Sequence, residues 1–306
     1  MFQVIKADIE APSHANTSAV VVLFHPEGDL LGRLKRVLSQ VSRLIVVSND
    51  GQGPQRLVGL DATLITHVQA KGNLGLAAAL NQGLSEAAKN ASTWCLLLDQ
   101  DTEVDSDLVA GLGEAFLSCP RRDSIGLLAP NYRSLGGRRL AYPSNCAWQV
   151  LETAVTSGSL VAISAVQKVG GMRDAFFIEG IDIEFSLRLR AAGLQLVASG
   201  RPLMTHGAGM AEERRLLGRF VLVGHHPPWR CFLQFRNLAW TLWRYRHQEP
   251  RWARSSLGSM CKRFCLVFLF EQQRLRKAWA MLHGTIVGFI QAMQKDKMAI
   301  ELPILK

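Results

Sequence analysis

The chain has 306 residues, 48% of them hydrophobic, which is enough for one main domain with a sizeable core and an appendage. Its formal net charge of +10 is uneven: residues 1–200 carry 17 Lys and Arg against 19 Asp and Glu, and residues 201–306 carry 18 against 6. Five of the seven tryptophans lie in the basic part, which favours an anionic lipid surface or nucleic acid as its neighbour. No helix-turn-helix or RNA-binding signature accompanies the charge, so we expect no nucleic-acid partner.

Several classes of protein are disfavoured by the pattern of apolar and cysteine residues. The longest uninterrupted apolar run is 264–270, far short of the about 20 residues that a membrane-spanning helix needs. Residues 1–14 include Asp8 and Glu10 and lack an apolar core, so we expect no secretory signal. The six cysteines form no C-x-x-C pair, which is typical of reduced thiols in a cytoplasmic protein.

Apolar runs alternate with helical patterns along the first part of the chain. The runs predict strands at 18–24, 44–48, 64–68, 94–98 and 125–129. Helical spacing predicts helices at 28–40, 75–90 and 105–117. Such alternation indicates βαβ crossovers and a mostly parallel sheet.

Two carboxylates, Asp99 and Asp101, follow the apolar run 94–98 directly. In an open α/β sheet the ligand crevice lies outside the carboxyl ends of the strands. Side chains two apart on an extended segment point to the same side, so both acids would face one ligand. A divalent cation bound by one or two carboxylates and substrate phosphates fits this pattern. The alternative is that these residues only cap the next helix, since Asp and Thr are preferred N-caps.

Two glycines, Gly72 and Gly75, precede the predicted alanine-rich helix at 75–90. They allow close approach of the backbone to a ligand, and a helix N-terminus offers N–H groups to an anion. The spacing is neither G-x-G-x-x-G nor a P-loop, which argues against a nicotinamide dehydrogenase or a kinase. A simple turn into the helix is the alternative.

A second acidic pattern surrounds Asp182, where a helix that ends at Gly193 is predicted to begin. Asp182 is either an N-cap or a carboxylate held rigidly toward the crevice. Glu184 and Arg188 are four apart and can pair along the helix. A strand at 194–198 then leads to His206, which precedes Gly-Ala-Gly and is as readily a surface residue as a ligand.

The basic tail contains two helical stretches, 229–247 and 256–293, whose aromatic faces are bordered by Arg and Lys. This pattern fits a helix lying in a membrane interface. Packing against the main domain, with the stems of the arginines covering the contact, is the alternative. We therefore predict a main domain at 1–222 and a helical, basic, amphipathic region at 223–306.

Taken in order, these features resemble the family 2 glycosyltransferases with a GT-A fold, and in particular the bacterial rhamnosyltransferases. The resemblance spans roughly residues 18–240 and is carried by Phe24-His-Pro26, Gly72-Asn-Leu-Gly-Leu-Ala77 with Asn81 and Gly83, Leu98-Asp-Gln-Asp-Thr102, Thr156-Ser-Gly-Ser159, Gly180-Ile-Asp-Ile-Glu-Phe-Ser-Leu-Arg188, His206, and His226-Pro-Pro-Trp-Arg230 with Arg236 and Asn237. Two positions depart from the family pattern. Ser48 stands where an Asp is usual, and Glu179 stands where Asp is more usual.

The resemblance implies an α/β fold with a GT-A-type, mostly parallel sheet flanked by helices and followed by the basic, aromatic helical appendage. The implied activity is inverting, metal-dependent transfer of L-rhamnose from dTDP-L-rhamnose to a hydroxyl of a lipid-linked cell-surface glycan. Mg²⁺ or Mn²⁺ would be held by Asp99, Asp101 and His206. Asp182 would be the general base, with Glu184 as its alternative.

The resemblance further implies a set of residues that bind the nucleotide sugar. These are His25, Asn49, Asp50, Asn73, Gly75, Asn81, Asp99, Arg188 and Arg230. The implied location is the cytoplasmic face of the inner membrane, where the chain would bind peripherally to an anionic surface. The alternatives are another sugar nucleotide such as UDP-galactofuranose, or a non-catalytic membrane-associated scaffold. A nucleotidyltransferase is disfavoured, because His-Pro-Glu-Gly-Asp follows the first strand in place of a Gly- and Lys/Arg-rich loop.

Overall fold

The computed structural model describes residues 9–134, 140–206, 211–216 and 219–294. The chain divides into two compact units, the first comprising Met1–Met172 and Arg188–His206 and the second Arg173–Leu187 and Gly207–Lys306. The domain boundary between residues 222 and 223 stays a prediction.

A nine-stranded sheet forms the centre of the first unit. Its strands are β1 (Thr17–Leu23), β2 (Arg43–Ser48), β3 (Ile65–Gln69), β4 (Trp94–Asp99), β5 (Glu103–Val104), β6 (Ile125–Ser134), β7 (Trp148–Val150), β8 (Ser159–Ala162) and β9 (Gln195–His206). The helices of this unit are α1 (Leu30–Leu38), α2 (Leu76–Lys89), α3 (Leu108–Ser118) and α4 (Ile163–Val169). Helix α5 (Ile181–Ala191) begins in the second unit and ends in the first.

The strand order is β3-β2-β1-β4-β8-β6-β9-β5, with β7 also paired to β9. Six of the nine strands run in one direction: β1, β2, β3, β4, β6 and β9. The other three are antiparallel to their neighbours: β8 lies between β4 and β6, and β5 and β7 both pair with β9. The predicted α/β fold with a mostly parallel sheet is therefore confirmed. The carboxyl ends of β1, β2 and β4 lie along one edge of this sheet.

The central strands are continuous apolar runs because both faces of the sheet are covered. Every residue of β1 is buried, as are the residues from Trp94 to Leu98 in β4. Helix α2 packs closely on β1 at Gly83, where an added Cβ would lie 2.3 Å from Val20 Cγ1. Strand β9 is longer than the predicted strand at 194–198, because it continues to His206. The sequence does not indicate this extension, because Gly200 and Pro202 are residue types that usually end a strand.

The second unit contains a hairpin and three helices. They are β10 (Ala211–Leu216), β11 (Arg219–Gly224), α6 (Pro228–Tyr245), α7 (Pro250–Phe270) and α8 (Arg274–Met293). Helix α8 approaches α6 closely at two glycines: a Cβ at Gly284 would lie 2.4 Å from Phe232 O, and one at Gly288 2.2 Å from Arg236 O. No helix within the described ranges is long and apolar enough to span a bilayer.

The aromatic side chains of α6 serve the packing of the second unit. Phe232, Phe235 and Trp240 are buried, and Trp240 contacts Phe176 edge-to-face at 5.7 Å between ring centroids. For α6, the packing alternative therefore describes the aromatic pattern better than exposure to a membrane does. All six cysteines are free thiols, three of them buried (Cys95, Cys119 and Cys231) and three exposed.

Candidate active site

The two carboxylates after β4 lie on a turn and not on one extended segment. Strand β4 ends at Asp99, and the N–H of Thr102 donates to the Asp99 carbonyl at 3.2 Å. Asp99 is half-buried and Asp101 is exposed. The argument from alternating strand side chains therefore does not apply, and it is the turn that brings both acids to the carboxyl edge of the sheet.

Ser157 holds this turn in place. Its Oγ accepts the Asp99 N–H at 3.0 Å and lies 2.5 Å from Thr102 Oγ1. The next residue, Gly158, has φ +80°, and a Cβ there would lie 2.4 Å from Met204 Sδ, so the position requires glycine. The Thr-Ser-Gly-Ser stretch therefore has a clear structural role beneath the acidic turn.

Two asparagines organise the adjoining loops at the same edge. Asn49 is buried, and it donates from Nδ2 to Asn73 Oδ1 at 3.1 Å and accepts the Leu74 N–H at 2.9 Å. Asn73 Oδ1 also accepts the Gly75 N–H at 3.0 Å. Gly75, with φ +82°, is the N-cap of α2 and has no side-chain cap. The asparagines thus fix the loop that leads into the N-terminus of α2.

The carboxylate of Asp50 accepts hydrogen bonds from several residues of the same unit. Arg56 donates to both of its carboxylate oxygens, at 2.5 and 2.9 Å, and the N–H groups of His25 and Gln52 donate at 2.8 and 3.1 Å. The Asp50 side chain has no exposed surface. The hydrogen bonds from Arg56 hold the pKa of Asp50 far below its usual range. This carboxylate is built into the loop after β2, and its predicted role in nucleotide binding stays a prediction.

The loop after β1 is fixed by a residue that the sequence did not single out. Gln100 accepts the Phe24 N–H at 2.7 Å and donates to the Phe24 carbonyl at 3.1 Å. Arg33 Nε also donates to the Gln100 carbonyl, at 3.0 Å. The imidazole of His25 is 67% exposed, which leaves it accessible to a ligand.

Asn81 and Arg188, both predicted to bind the nucleotide, contact backbone groups of the same unit. Asn81 donates to the Met172 carbonyl at 2.8 Å and accepts the Met172 N–H at 2.6 Å. Arg188 Nη1 donates to the Val169 carbonyl at 2.9 Å. These contacts give both side chains a structural function near the end of α4.

In the second unit, Asp182 lies in the first turn of α5 and is half-buried. Its Oδ1 accepts the N–H of Ile183 at 2.9 Å. The segment before it has an unusual backbone, with positive φ angles at Phe177 (60°), Glu179 (72°) and Gly180 (69°). Non-glycine residues rarely adopt such angles, and strain of this kind persists only where the surroundings impose it.

Asn237 on α6 imposes this conformation. It is fully buried, and its Nδ2 lies 2.8–3.0 Å from the carbonyl oxygens of Phe176, Ile178 and Glu179. Arg236 orients the amide by donating from Nε to Asn237 Oδ1 at 2.9 Å. We call residues 176–180 with Asn237 the clamped loop. The loop sets where α5 begins and therefore where Asp182 lies within its unit.

Glu184 is fully buried. Tyr245 donates its hydroxyl to Glu184 Oε1 at 3.1 Å, and Arg173 Nε lies 3.8 Å from the same oxygen. Arg173 also stacks over Trp240 at 3.9 Å from the ring centroid. Burial and a phenol donor favour a structural function for Glu184 over that of an alternative base.

Glu179 joins the clamped loop to α6 by a second route. Arg230 Nε donates to Glu179 Oε1, and Gln234 Nε2 donates to Oε2 at 3.0 Å. The side chain of Glu179, one methylene longer than the usual Asp, spans to both partners. Arg230 is thus ion-paired within its unit, while 37% of its side chain stays exposed.

A pocket of about 370 Å³ lies in the second unit beside this pair. Its apolar wall consists of Ile183, Phe235, Leu238 and Met260. Its polar residues are Glu179, His226, Gln234, Thr241, Ser259 and Arg263. Burial, followed by the charge of Arg230, lowers the pKa of His226, so the neutral imidazole is favoured. Gly180 and Ile183 line the pocket and flank Asp182 in the chain, so the pocket adjoins the segment that carries the candidate base.

No group of three His, Cys, Asp or Glu side chains close enough to hold a metal ion occurs among the described residues. His206 ends β9, but its side chain lies outside the described part of the structure. Asp99 and Asp101 carry carboxylate oxygens, the donor type that Mg²⁺ and Mn²⁺ prefer, at the turn after β4. Two carboxylates with phosphate oxygens suffice for Mg²⁺, so the donor set fits a cation bound together with its substrate.

Residues 18–145 match the family described as Glycosyl transferase family 2. The matched region contains the acidic turn after β4 and the Asn49–Asn73 contact. No curated protein sequence matches the chain. The match covers less than half of the chain and indicates a glycosyltransferase family 2 domain within residues 18–145.

Two of the solved structures that resemble this protein align with more than nine-tenths of the chain. S. aureus TarS 1–349 aligns with a TM-score of 0.52 at 11% identity, over 91% of either chain. GalNAc-T7, crystallised with UDP, GalNAc and Mn²⁺, aligns with a TM-score of 0.55 at 12% identity over 94% of this chain, which spans 57% of the length of GalNAc-T7. At these identities the likeness establishes the fold, which is consistent with the GT-A type.

Proposed function

We propose that this chain is an inverting glycosyltransferase that moves L-rhamnose from dTDP-L-rhamnose to a hydroxyl of a lipid-linked glycan at the cytoplasmic face of the inner membrane. The observation that carries the proposal is the acidic turn Asp99–Thr102, which lies inside the region that matches the glycosyltransferase family. The Asn49–Asn73 contact lies at the same edge of the sheet. Ligands of open α/β sheets bind at this edge.

The residues of the proposed donor site belong to the first unit, except for Arg230, which lies in the second. The diphosphate would lie toward the N-terminus of α2, where Gly75 leaves the first turn without a side-chain cap. Asn49 and Asn73 shape the approach to that turn. His25, with its exposed imidazole, is available for the nucleoside or the phosphates.

Asp99 and Asp101 would hold Mg²⁺ or Mn²⁺ against the diphosphate. A bound divalent cation neutralises the negative charge that develops on the leaving group. His206 is the proposed third ligand, and an imidazole would shift the preference toward Mn²⁺. The protein's own part is to keep the two carboxylates at the turn that Ser157 fixes.

Asp182 is the proposed general base. In an inverting displacement the acceptor oxygen forms its bond to the anomeric carbon while the bond to the diphosphate breaks. The acceptor hydroxyl gives its proton to the Asp182 carboxylate in the same step. General-base assistance of this kind typically contributes about 10²–10⁴-fold.

The pocket of about 370 Å³ is the proposed acceptor site. Sugar hydroxyls would be recognised by its polar residues, such as Gln234 and Thr241, while Phe235 and Leu238 would contact the apolar faces of the acceptor. The pocket includes Gly180 and Ile183, so an acceptor bound there would lie next to the segment that carries Asp182.

A panel of sugar nucleotides tests the donor assignment. We expect dTDP-L-rhamnose to raise the melting temperature more than UDP-galactofuranose or UDP-glucose does, and to be hydrolysed slowly in a metal-dependent reaction. Asp101→Asn should remove the effect of Mn²⁺ on dTDP affinity in calorimetry. Glu152→Gln, at another exposed carboxylate of the first unit, should leave it intact. Stabilisation by no sugar nucleotide would refute the proposed function, and preference for another donor would refute rhamnose alone.

A further inference from the structure

The outer face of α8 exposes a continuous row of large apolar side chains. These are Leu275 (74% exposed), Trp279 (70%), Leu282 (50%), Ile286 (57%), Ile290 (43%) and Met293 (54%). They recur every three or four residues, so they share one side of the helix over about 27 Å. We call this row the α8 stripe.

The opposite side of α8 makes the contacts that hold the helix in its unit. Gly284 and Gly288 meet the backbone of α6, and Met281 is buried. The α8 stripe is therefore not the core-facing side of an ordinary amphipathic helix. A contiguous apolar surface of this kind marks a site of interaction with another surface.

The charges of α6, α7 and α8 indicate what that other surface is. Between Pro228 and Met293 the chain has eleven Lys and Arg but only two acids, Glu249 and Glu271. Glu271 is buried between Arg263 and Lys277, and Glu249 is half-buried. The exposed cations of the three helices, with the C-cap of α6 (Arg246), are Arg244, Arg246, Arg251, Arg254, Lys262, Arg274 and Arg276. The exposed charge of α6–α8 is thus positive, and it complements an anionic partner.

We propose that the α8 stripe docks into the interfacial layer of an anionic lipid bilayer, with α8 lying parallel to the membrane surface. Amphipathic helices with Trp, Leu and Ile on one side and Arg at the borders bury their apolar side about 5–10 Å into that layer. Arg274 and Arg276 flank Leu275 and would contact the lipid phosphates. A second copy of the chain would bring two positively charged surfaces together, which disfavours self-association through this face.

Cosedimentation of the full chain with vesicles tests the docking. Phosphatidylcholine vesicles that contain phosphatidylglycerol should bind the protein, and pure phosphatidylcholine should bind it more weakly. The variant Trp279→Glu with Ile286→Glu should lower the partition coefficient about 100-fold, since two large side chains no longer enter the interface. Arg274→Gln with Arg276→Gln should lower binding to the anionic vesicles roughly tenfold or more and change binding to the neutral ones little.

A matched control places the same charges elsewhere. Val58→Glu with Leu117→Glu changes side chains that are 75% and 59% exposed in the first unit, and it should bind vesicles as the unmodified chain does. Brominated acyl chains should quench tryptophan fluorescence in the unmodified protein. Trp279→Phe should still bind but should lose most of that quenching.

Two outcomes would overturn the proposal. One is equal vesicle binding by the stripe variant and the unmodified chain. The other is a dimer in sedimentation equilibrium that the stripe variant dissociates, with no binding to either kind of vesicle. Thermal stabilisation by sugar nucleotides, measured on the same variants, should be unchanged, so failure of membrane docking is distinguishable from failure of the proposed function.

Discussion

Replacing Asn237 by alanine removes the side chain that holds the clamped loop. The Nδ2 group of Asn237 serves the carbonyls of Phe176, Ile178 and Glu179 in a fully buried position. A hydrogen bond of this type contributes about 0.5–1.5 kcal/mol net, and each carbonyl left buried without a partner costs more. We therefore expect Asn237→Ala to lower the free energy of unfolding by about 2–4 kcal/mol.

The same change should impair the transfer reaction. The positive φ angles at Phe177 and Glu179 persist because the amide imposes them, so the loop should relax and α5 should begin in a shifted position. Displacing a catalytic group by about 1 Å can cost about 10²-fold in rate. We expect kcat to fall by about this factor while the Kd for the donor nucleotide changes much less, because all the predicted donor residues except Arg230 belong to the first unit.

Leu266→Ala is the matched control for stability. Leu266 is buried on α7 against Val221 and Val223 and is not part of the clamped loop. Truncating a buried leucine costs about 2–5 kcal/mol, a loss similar to that expected for Asn237→Ala. Urea unfolding followed by circular dichroism gives the two stabilities, and steady-state transfer assays give kcat. If both variants lose similar stability and Asn237→Ala keeps the kcat of Leu266→Ala, the reasoning about the clamped loop is wrong.

Three further predictions concern stability. Gly288→Ala should lower the free energy of unfolding by about 1–3 kcal/mol, because the added Cβ would clash with the backbone of α6. Gly258→Ala, which has open space around it, should raise the free energy of unfolding by about 0.5–1 kcal/mol. Urea titrations that give changes of the same sign for both variants would contradict the packing. Burial lowers the pKa of His226, so the unfolded chain binds a proton there more readily than the folded chain, and the free energy of unfolding falls as pH drops through about 6.5. His226→Gln should weaken this dependence on pH in urea titrations. The same dependence on pH in the variant would contradict the assignment. Asp50→Asn should cost about 1–3 kcal/mol at neutral pH, because the charge-assisted hydrogen bonds from Arg56 are lost. The difference should shrink below about pH 4, because the unfolded chain then binds a proton at Asp50 while the lowered pKa keeps the folded carboxylate ionised; a loss independent of pH in acid titrations would argue against the ion pair.

The sequence predicted β1, β2 and β4 well because these strands are buried on both faces. In the runs 44–48 and 94–98 the one polar residue is Ser48, at the end of its strand, so the apolar pattern is uninterrupted. The alanine-rich helix α2 starts where Gly75 ends the preceding loop. The sequence also indicated that Asp99 and Asp101 follow β4 at the carboxyl edge of the sheet, where ligands of such folds bind, and their role in metal binding stays a prediction. The prediction that Asp99 and Asp101 lie on one extended segment was wrong. Nothing in the apolar pattern shows that Asp101 lies on a turn held by Ser157.

The features missed from sequence depend on partners distant in the chain or on the backbone alone. The resemblance includes Asn237, but its contact with residues 176–180, about 60 positions earlier, follows from no periodic pattern in the sequence. Helices α7 and α8 were predicted as one stretch, 256–293. The segment 271–273 between the two helices contains neither Gly nor Pro, and the chain changes direction there through Gln273, whose φ of +53° lies in the left-handed region. The sequence also could not show that the apolar residues of α6 are mostly buried and those of the α8 stripe exposed. Both helices carry aromatic and apolar residues, and tertiary packing decides which of them are buried.

The central claim is that Asp182 removes the proton from the acceptor, and single-turnover transfer by Asp182→Asn tests it most directly. Asp174→Asn, at an exposed acid of the same unit, is the control and should react as the unmodified chain does. We predict that Asp182→Asn binds the donor nucleotide with unchanged affinity and transfers sugar about 10²–10⁴-fold more slowly at neutral pH. Transfer by Asp182→Asn at the rate of the control would contradict the account.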